Sequence, residues 1–340
     1  KRHAPQGAQL ENRPDPRRGQ TMMRWIEANT WTLGLAVLLA ALLLATKLIQ
    51  PGFGASGLDS LARAALPFAL ATVGMAIVVI AGGIDLSIAA MMAVASVTGA
   101  VLMQGATDLQ SVVIVLCVLL LGLAMGAING LLIVVSKVPD IVVTLAMLFV
   151  WQGVALLILN APGGGAAPWL RSIAAGGLPL PGLDWLPRGI VFLAVVTAAI
   201  WLPIRRSKLG LRLYAIGSDA LAAFRSGVPV GQTRIAAYAL CGLFAALGGL
   251  SVTMGTGIGE PIPGPYLLAS VAAVVLGGVV LGGGRGGLLG PILAVLILRT
   301  VRMDLTLLSV DPNVAAIIEG SIMVAVVMFG AVLATRGRRT

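Results

Sequence analysis

The chain has 340 residues, 58% of them hydrophobic and 11% charged, with a net charge of +10 and a mean hydropathy of +1.01. So little polar surface cannot cover a soluble domain of this length, and the protein is therefore integral to a membrane. In a soluble protein the positive charge would point to nucleic acid; here the cations sit beside the membrane, where anionic lipid attracts them and no nucleic-acid partner is called for.

Residues 1–24 are basic, contain Pro14, Pro16, Gly7 and Gly19, and hold no hydrophobic run, so they read as a disordered cytoplasmic tail rather than a signal peptide. Ten apolar stretches follow, at about 31–49, 66–82, 85–104, 111–136, 141–160, 189–204, 234–254, 268–283, 287–302 and 314–334. They are continuous and do not alternate with a period of two, which selects helices over barrel strands. A helix needs about 20 apolar residues to cross a core of roughly 30 Å, so the expected fold is an all-α, polytopic bundle over residues 25–335 with a basic end at 336–340. With the N-terminus inside, 17 of the 23 Lys and Arg fall on inside segments, and only Lys47, Arg63, Arg171, Arg188, Arg299 and Arg302 fall elsewhere. That asymmetry predicts both termini in the cytoplasm.

Between the second and third stretches, Gly82-Gly83 breaks the chain ahead of Asp85 and Ser87. An ionised Asp at a helix centre costs roughly 2.5–3.5 kcal/mol on insertion scales, so Asp85 is expected at a helix end. There it either caps the first turn of the third helix or touches a solute. Asp85 and Glu319 are the acidic residues expected at membrane depth. On the third stretch Ala95 and Gly99, and on the fourth Gly122, Gly126 and Gly130, recur every four residues and predict close helix packing. Asn129, beside that glycine face, either bonds a neighbouring helix or lines a polar path.

The charged segment 205–234 interrupts the second half. Within it Asp219 or Ser218 is placed to cap a helix running to about Arg225, Gly227 to end it, and Pro229 to stop its extension. Leu221 and Phe224, three apart, share one face of that helix as apolar anchors for a partner groove. The run Leu276 to Pro291 is glycine-rich but lacks the Gly-Lys-Ser/Thr of a phosphate loop, so the chain has no ATPase of its own. It reads instead as a sharp hairpin in which Gly282 to Gly287 turn about Arg285. The single histidine, His3, and two mid-stretch cysteines, Cys117 and Cys241, leave no material for a histidine metal site, a Ser-His-Asp triad or a disulfide framework, and no metal is expected.

The Gly82-Gly-Ile-Asp-Leu-Ser87 stretch resembles an element of the ribose/xylose-type permeases of bacterial ABC importers. Three further stretches are similar to the same family in the same order: Gly130 to Leu145, Leu209 to Asp219, and the hairpin Val274 to Gly286. The resemblance covers residues 30–335 and implies a monosaccharide permease subunit of the bacterial inner membrane, not itself an enzyme. It implies three partners: an ATP-binding subunit that uses ATP and Mg, a periplasmic solute-binding protein, and a second permease, either the same chain or a paralogue. It also implies that Gly217, Ser218, Asp219, Leu221, Phe224, Arg225 and Gly227 belong to a coupling helix docked on the ATP-binding subunit. The chain departs from the family there: Ala220-Leu221 takes an acidic position, and Phe224-Arg225 stands where Arg-Leu is usual. That implies a rearranged docking face and a dedicated ATPase. The proline-stiffened outer segments 161–188 and 255–267, with Trp169, Trp185 and Glu260, are the candidates to meet the binding protein, although interfacial Trp belts explain the tryptophans equally well. Alternatives are the same architecture carrying a polyol, a nucleoside or a branched-chain amino acid, and an ion-coupled secondary transporter.

Overall fold

The computed structural model describes residues 16–262 and 264–336, and among them it forms helices joined by turns, with two isolated antiparallel bridges. In chain order the helices are α1 (Pro16–Ile49), α2 (Ala55–Ile80), α3 (Ile88–Met103), α4 (Asp108–Ser136), α5 (Asp140–Ile158), α6 (Pro168–Ala174), α7 (Arg188–Arg206), α8 (Lys208–Ser218), α9 (Ala220–Arg225), α10 (Val230–Thr256), α11 (Tyr266–Leu276), α12 (Leu289–Leu307) and α13 (Pro312–Arg336). Each of the ten apolar stretches holds a helix. Six of these are long and apolar enough to cross a membrane: Thr30–Ile49 within α1, then α2, α4, α5, α7 and α10.

Several boundaries move, each for a physical reason. Helix α1 starts at Pro16, so residues 16–24 are helical rather than tail; proline is tolerated in a first turn because its missing N–H would be unsatisfied there anyway. The expected tail residues 1–15 lie outside the described residues, as does Pro263. Helix α2 starts eleven residues early, at Ala55, because Asp59 is neutralised within it. Its carboxylate pairs with Arg63 one turn on and accepts from the backbone N–H of Gly176. Asp59 and Asp304 are thus further acidic residues buried on apolar helices, beyond the two anticipated. Helix α11 ends at Leu276, earlier than expected, because Gly278 turns at a positive φ of 83° and the hairpin opens there rather than at Gly282.

The core lies around α2 and α10. Every residue of α2 from Ala65 to Ile80 is buried, and α10 packs on α4, α2 and α3. The glycine faces read from the sequence make these contacts. A Cβ on Gly126 would stand 2.0 Å from the Tyr238 carbonyl oxygen, and one on Gly122 would stand 2.4 Å from Ala246 Cβ. From the facing helix, a Cβ on Gly242 would stand 2.1 Å from the Gly122 carbonyl oxygen. Ala95 and Gly99 likewise receive Gly249 and Leu250 of α10. At the periphery, α1 is held to the rest at both ends. Trp31 Nε1 donates to the Leu276 carbonyl at 2.8 Å, and Thr46 Oγ1 donates to Asp304 Oδ1 at 2.7 Å.

Helices that touch backbone to backbone tolerate no methyl between them, and overpacking costs about 1–3 kcal/mol. Gly126→Ala is expected to lower the unfolding temperature of the detergent-solubilised protein by several degrees. Gly34→Ala, where nothing lies within 4 Å of the new carbon, leaves it unchanged or raises it.

Candidate functional site

The break between α2 and α3 is built from glycine geometry. Gly82 takes a φ of 84°, and the N–H groups of Gly82 and Gly83 close on Val79 and Val78 carbonyls at 2.9 and 3.0 Å. Gly83 must lack a side chain, since a Cβ would sit 2.6 Å from the Tyr238 hydroxyl and 2.7 Å from Asp140 Oδ2. Asp85 follows, fully buried, but it does not cap α3. Ser87 occupies the cap position, and Asp85 Oδ1 accepts from the Ser87 N–H at 2.9 Å and from its hydroxyl at 2.7 Å, a turn local to the break.

That carboxylate ends a relay of donors. Trp151 Nε1 of α5 donates to Asn129 Oδ1 of α4 at 3.1 Å, Asn129 Nδ2 donates to Ser87 Oγ at 2.7 Å, and Ser87 donates to Asp85. No N–H or O–H group among the described residues reaches Asp85 Oδ2. On the other side of the break the Ile84 carbonyl accepts from Thr144 and from Tyr238, each at 3.3 Å. Tyr238 also meets Asp140 Oδ2 at 2.8 Å, and Arg234 stands 3.9 Å from the other Asp140 oxygen. The structure therefore gathers Gly82, Gly83, Asp85, Ser87 and Asn129 into one network. It adds Asp140, Thr144, Trp151, Arg234 and Tyr238, to which the sequence reading gave no role. For Trp151 and Tyr238 the signal was an amphipathic aromatic within an apolar stretch, where a buried polar tip demands a partner; for Asp140 it was an acid at the edge of one.

The segment 205–234 is two helices rather than one. Helix α8 was not anticipated. Asp219, not Ser218, caps α9, its Oδ1 accepting from the N–H groups of Leu221 and Ala222 at 2.9 Å each. Gly227, at φ 81°, closes the far end with its N–H on the Phe224 carbonyl. Ala223 faces the protein, while Leu221 and Phe224 are 58% and 68% exposed and Arg225 is exposed beside them. Ser218 belongs to α8, bonded to the Tyr214 carbonyl at 2.9 Å.

The end of α8 is packed directly on the break and on the hairpin. A Cβ on Gly217 would lie 1.9 Å from the Ile80 carbonyl oxygen and 2.5 Å from the Gly284 nitrogen. That same Ile80 carbonyl accepts from the Gly284 N–H at 2.9 Å. Gly283 would clash with both Gly217 and Gly82, and Gly284 with Ser218. The Tyr214 hydroxyl donates to the Gly286 carbonyl at 2.9 Å; burial raises this phenol above its ordinary pKa against the pull of Arg205, so it stays a protonated donor. Three motifs that are far apart in the sequence thus meet in one junction of bare backbone.

At the opposite end, segments 161–188 and 255–267 are joined by paired N–H to carbonyl bonds between Gly163 and Gly259 at 3.1 and 2.7 Å. Trp169 is half-buried and donates to Ser111 Oγ at 2.8 Å, whereas Trp185 is 54% exposed. Glu260 is half-buried, its N–H on Ser96 Oγ at 3.2 Å.

Sequence comparison places the chain among known proteins. A family model described as branched-chain amino acid transport system / permease component matches residues 57–327. The chain belongs to that permease family. The permease is 31% identical over 269 residues to the ribose import permease protein of Escherichia coli (strain K12), covering 76% of this chain and 81% of the relative. It is 29% identical over 314 residues to the autoinducer 2 import system permease protein of Escherichia coli (strain K12), covering 88% and 91%. No solved structure matches the permease.

The relay to Asp85 makes a prediction for the permease. Asn129→Ala strands the Trp151 donor and removes the donor to Ser87, and an unmet buried polar group costs about 1–3 kcal/mol. Thermal unfolding in detergent should shift down by several degrees; an unchanged transition would show that the relay contributes nothing.

Proposed function

We propose that the chain is the membrane subunit of an ATP-driven importer that moves a sugar-like solute into the cytoplasm. It would lie in the bacterial inner membrane with ten spans and both termini inside. Its partners would be a separate ATP-binding subunit and a periplasmic solute-binding protein, and it would pair with a second copy of itself or with a paralogue. The names of the two relatives support a ribose-like or autoinducer-2-like solute over the branched-chain amino acids of the family description.

The observation that carries this reading is the α9 surface. Two large apolar side chains, Leu221 and Phe224, project from a capped six-residue helix on the most basic connection of the chain. Exposed apolar anchors at helical spacing fit a groove in a partner protein. The chain has no phosphate loop, so energy must come from such a partner. The junction at Gly217 then gives the motion of that partner a route into the membrane body: displacing α9 displaces α8, and with it the α2–α3 break and the hairpin after α11. The open face of α13, with Gly320 and Ser321 between Ile317 and Val324, supports pairing with a second permease, since small residues let helices approach closely. At the other end, exposed Trp185 is the available contact for the binding protein.

Replacing either anchor by a charge should abolish docking without disturbing insertion. Leu221→Asp and Phe224→Asp are expected to cut co-purification of the ATP-binding subunit encoded beside the chain by at least about tenfold, since an unpaired charge in a desolvated apolar groove costs several kcal/mol. Normal co-purification would place the docking surface elsewhere, and solute uptake by the chain alone under an ion gradient would overturn the importer reading.

A further inference from the structure

The second half of the membrane body holds an ionic cluster that the coupling machinery does not use. Arg299 and Arg302 of α12 both reach Glu319 of α13, Arg302 at 2.5 Å. The carboxylate is 8% exposed and Arg299 10%, whereas Arg302 is 40% exposed. Arg299 also lies over the Phe68 ring of α2 at 4.0 Å, and Phe68 meets the Tyr266 ring of α11 at a tilt, with centroids 4.5 Å apart.

The position of the cluster follows from the helices themselves. Phe68 is twelve residues before Ile80, Tyr266 eleven before Gly277, and Arg299 and Arg302 ten and thirteen after Leu289. At 1.5 Å per residue, all of them lie about 15–20 Å from the junction, in the half of the membrane body away from α9. Four helices therefore direct ionised or aromatic side chains to one level, where charge is expensive and is kept for function.

Two features separate this cluster from a simple lock between α12 and α13. A lock needs one arginine per carboxylate, and the second arginine keeps an accessible edge. One turn nearer the junction, on the same faces as Phe68 and Tyr266, Thr72 and Ser270 are fully buried with hydroxyls that have no hydrogen-bond partner among the described residues. A buried hydroxyl without a partner is costly, and a native structure that keeps two at one level requires an explanation.

We propose that Arg302, Glu319 and Tyr266 form a contact site for a neutral, polyhydroxylated solute, and that Thr72 and Ser270 continue it towards the junction between α2, α11 and α12. Guanidinium donors beside a carboxylate acceptor match vicinal hydroxyls, each of which gives and takes a hydrogen bond, and half-buried Tyr266 adds a phenol hydroxyl that can do both. This site rests on the importer reading and names where that importer touches its cargo.

The test uses the complete importer, reconstituted in vesicles with its ATP-binding subunit and binding protein and given D-ribose or autoinducer 2. Glu319→Gln and Arg302→Gln should lower solute taken up per ATP hydrolysed by at least about tenfold, with ATP hydrolysis stimulated by the binding protein retained. Ser270→Ala and Thr72→Val keep the fold, with an unfolding temperature unchanged or raised because an unpartnered hydroxyl is lost, yet should lower uptake by about threefold or more. Wild-type uptake in the hydroxyl variants would overturn the site, as would charge variants that lose assembly and thermal stability in parallel with uptake. Absence of ATP-dependent uptake in the wild type would overturn the importer reading and the site together.

Discussion

The structure depends on one contact that no side chain makes. At Gly217 the backbone of α8 lies so close to the Ile80 carbonyl and the Gly284 nitrogen that any Cβ would overlap both. A close-packed contact of this kind does not deform smoothly; displacing one partner displaces the others. The segment bearing α9 is therefore joined to the α2–α3 break and to the hairpin before α12, and these three segments would otherwise have no mechanical reason to respond to one another.

The same constraint explains how a carboxylate is held beside the central helix. Asp85 stands where the helix is interrupted, so local N–H and hydroxyl groups are free to meet one oxygen, and the relay from Trp151 through Asn129 and Ser87 aligns its donors toward it. Around it, Tyr238 and Thr144 tie the Ile84 carbonyl to α10 and α5. The break is thus a polar knot in an apolar bundle, with partners drawn from three helices, α4, α5 and α10.

Much of this is legible in the sequence, and the rest is hidden for definable reasons. The helical character of the apolar stretches, the glycine face Gly122, Gly126 and Gly130, and the stop at Gly227 are local properties of composition and spacing and appear in the structure, while the boundaries of several stretches move and the cap falls to Asp219 of the two residues offered. Helix α8 is missed because its first turns, Lys208 to Leu213, alternate basic and apolar residues within a charged segment, and the helical spacing of its buried face, Gly210, Leu213, Ile216 and Gly217, is short. The early start of α2 is missed because the neutralisation of Asp59 by Arg63 and the Gly176 N–H depends partly on a residue far along the chain. Asp85 looks like a cap in isolation, but Ser87 takes that place once the chain turns. The convergence of Gly82, Gly217 and Gly283 cannot be read at all from one sequence, since each glycine has its own local excuse and only the fold shows that they are partners.

The most direct test of the account is the coupling ratio of Gly217→Ala in the reconstituted importer, measured as solute moved per ATP hydrolysed. A methyl there forces α8 off the break while leaving the Leu221 and Phe224 surface intact. The account predicts normal association with the ATP-binding subunit and continued hydrolysis, with the ratio reduced by about tenfold, the size of a coupling free energy of 1–2 kcal/mol. A wild-type ratio in a stably assembled Gly217→Ala importer would contradict it, showing that the junction packs the helices without transmitting their motion.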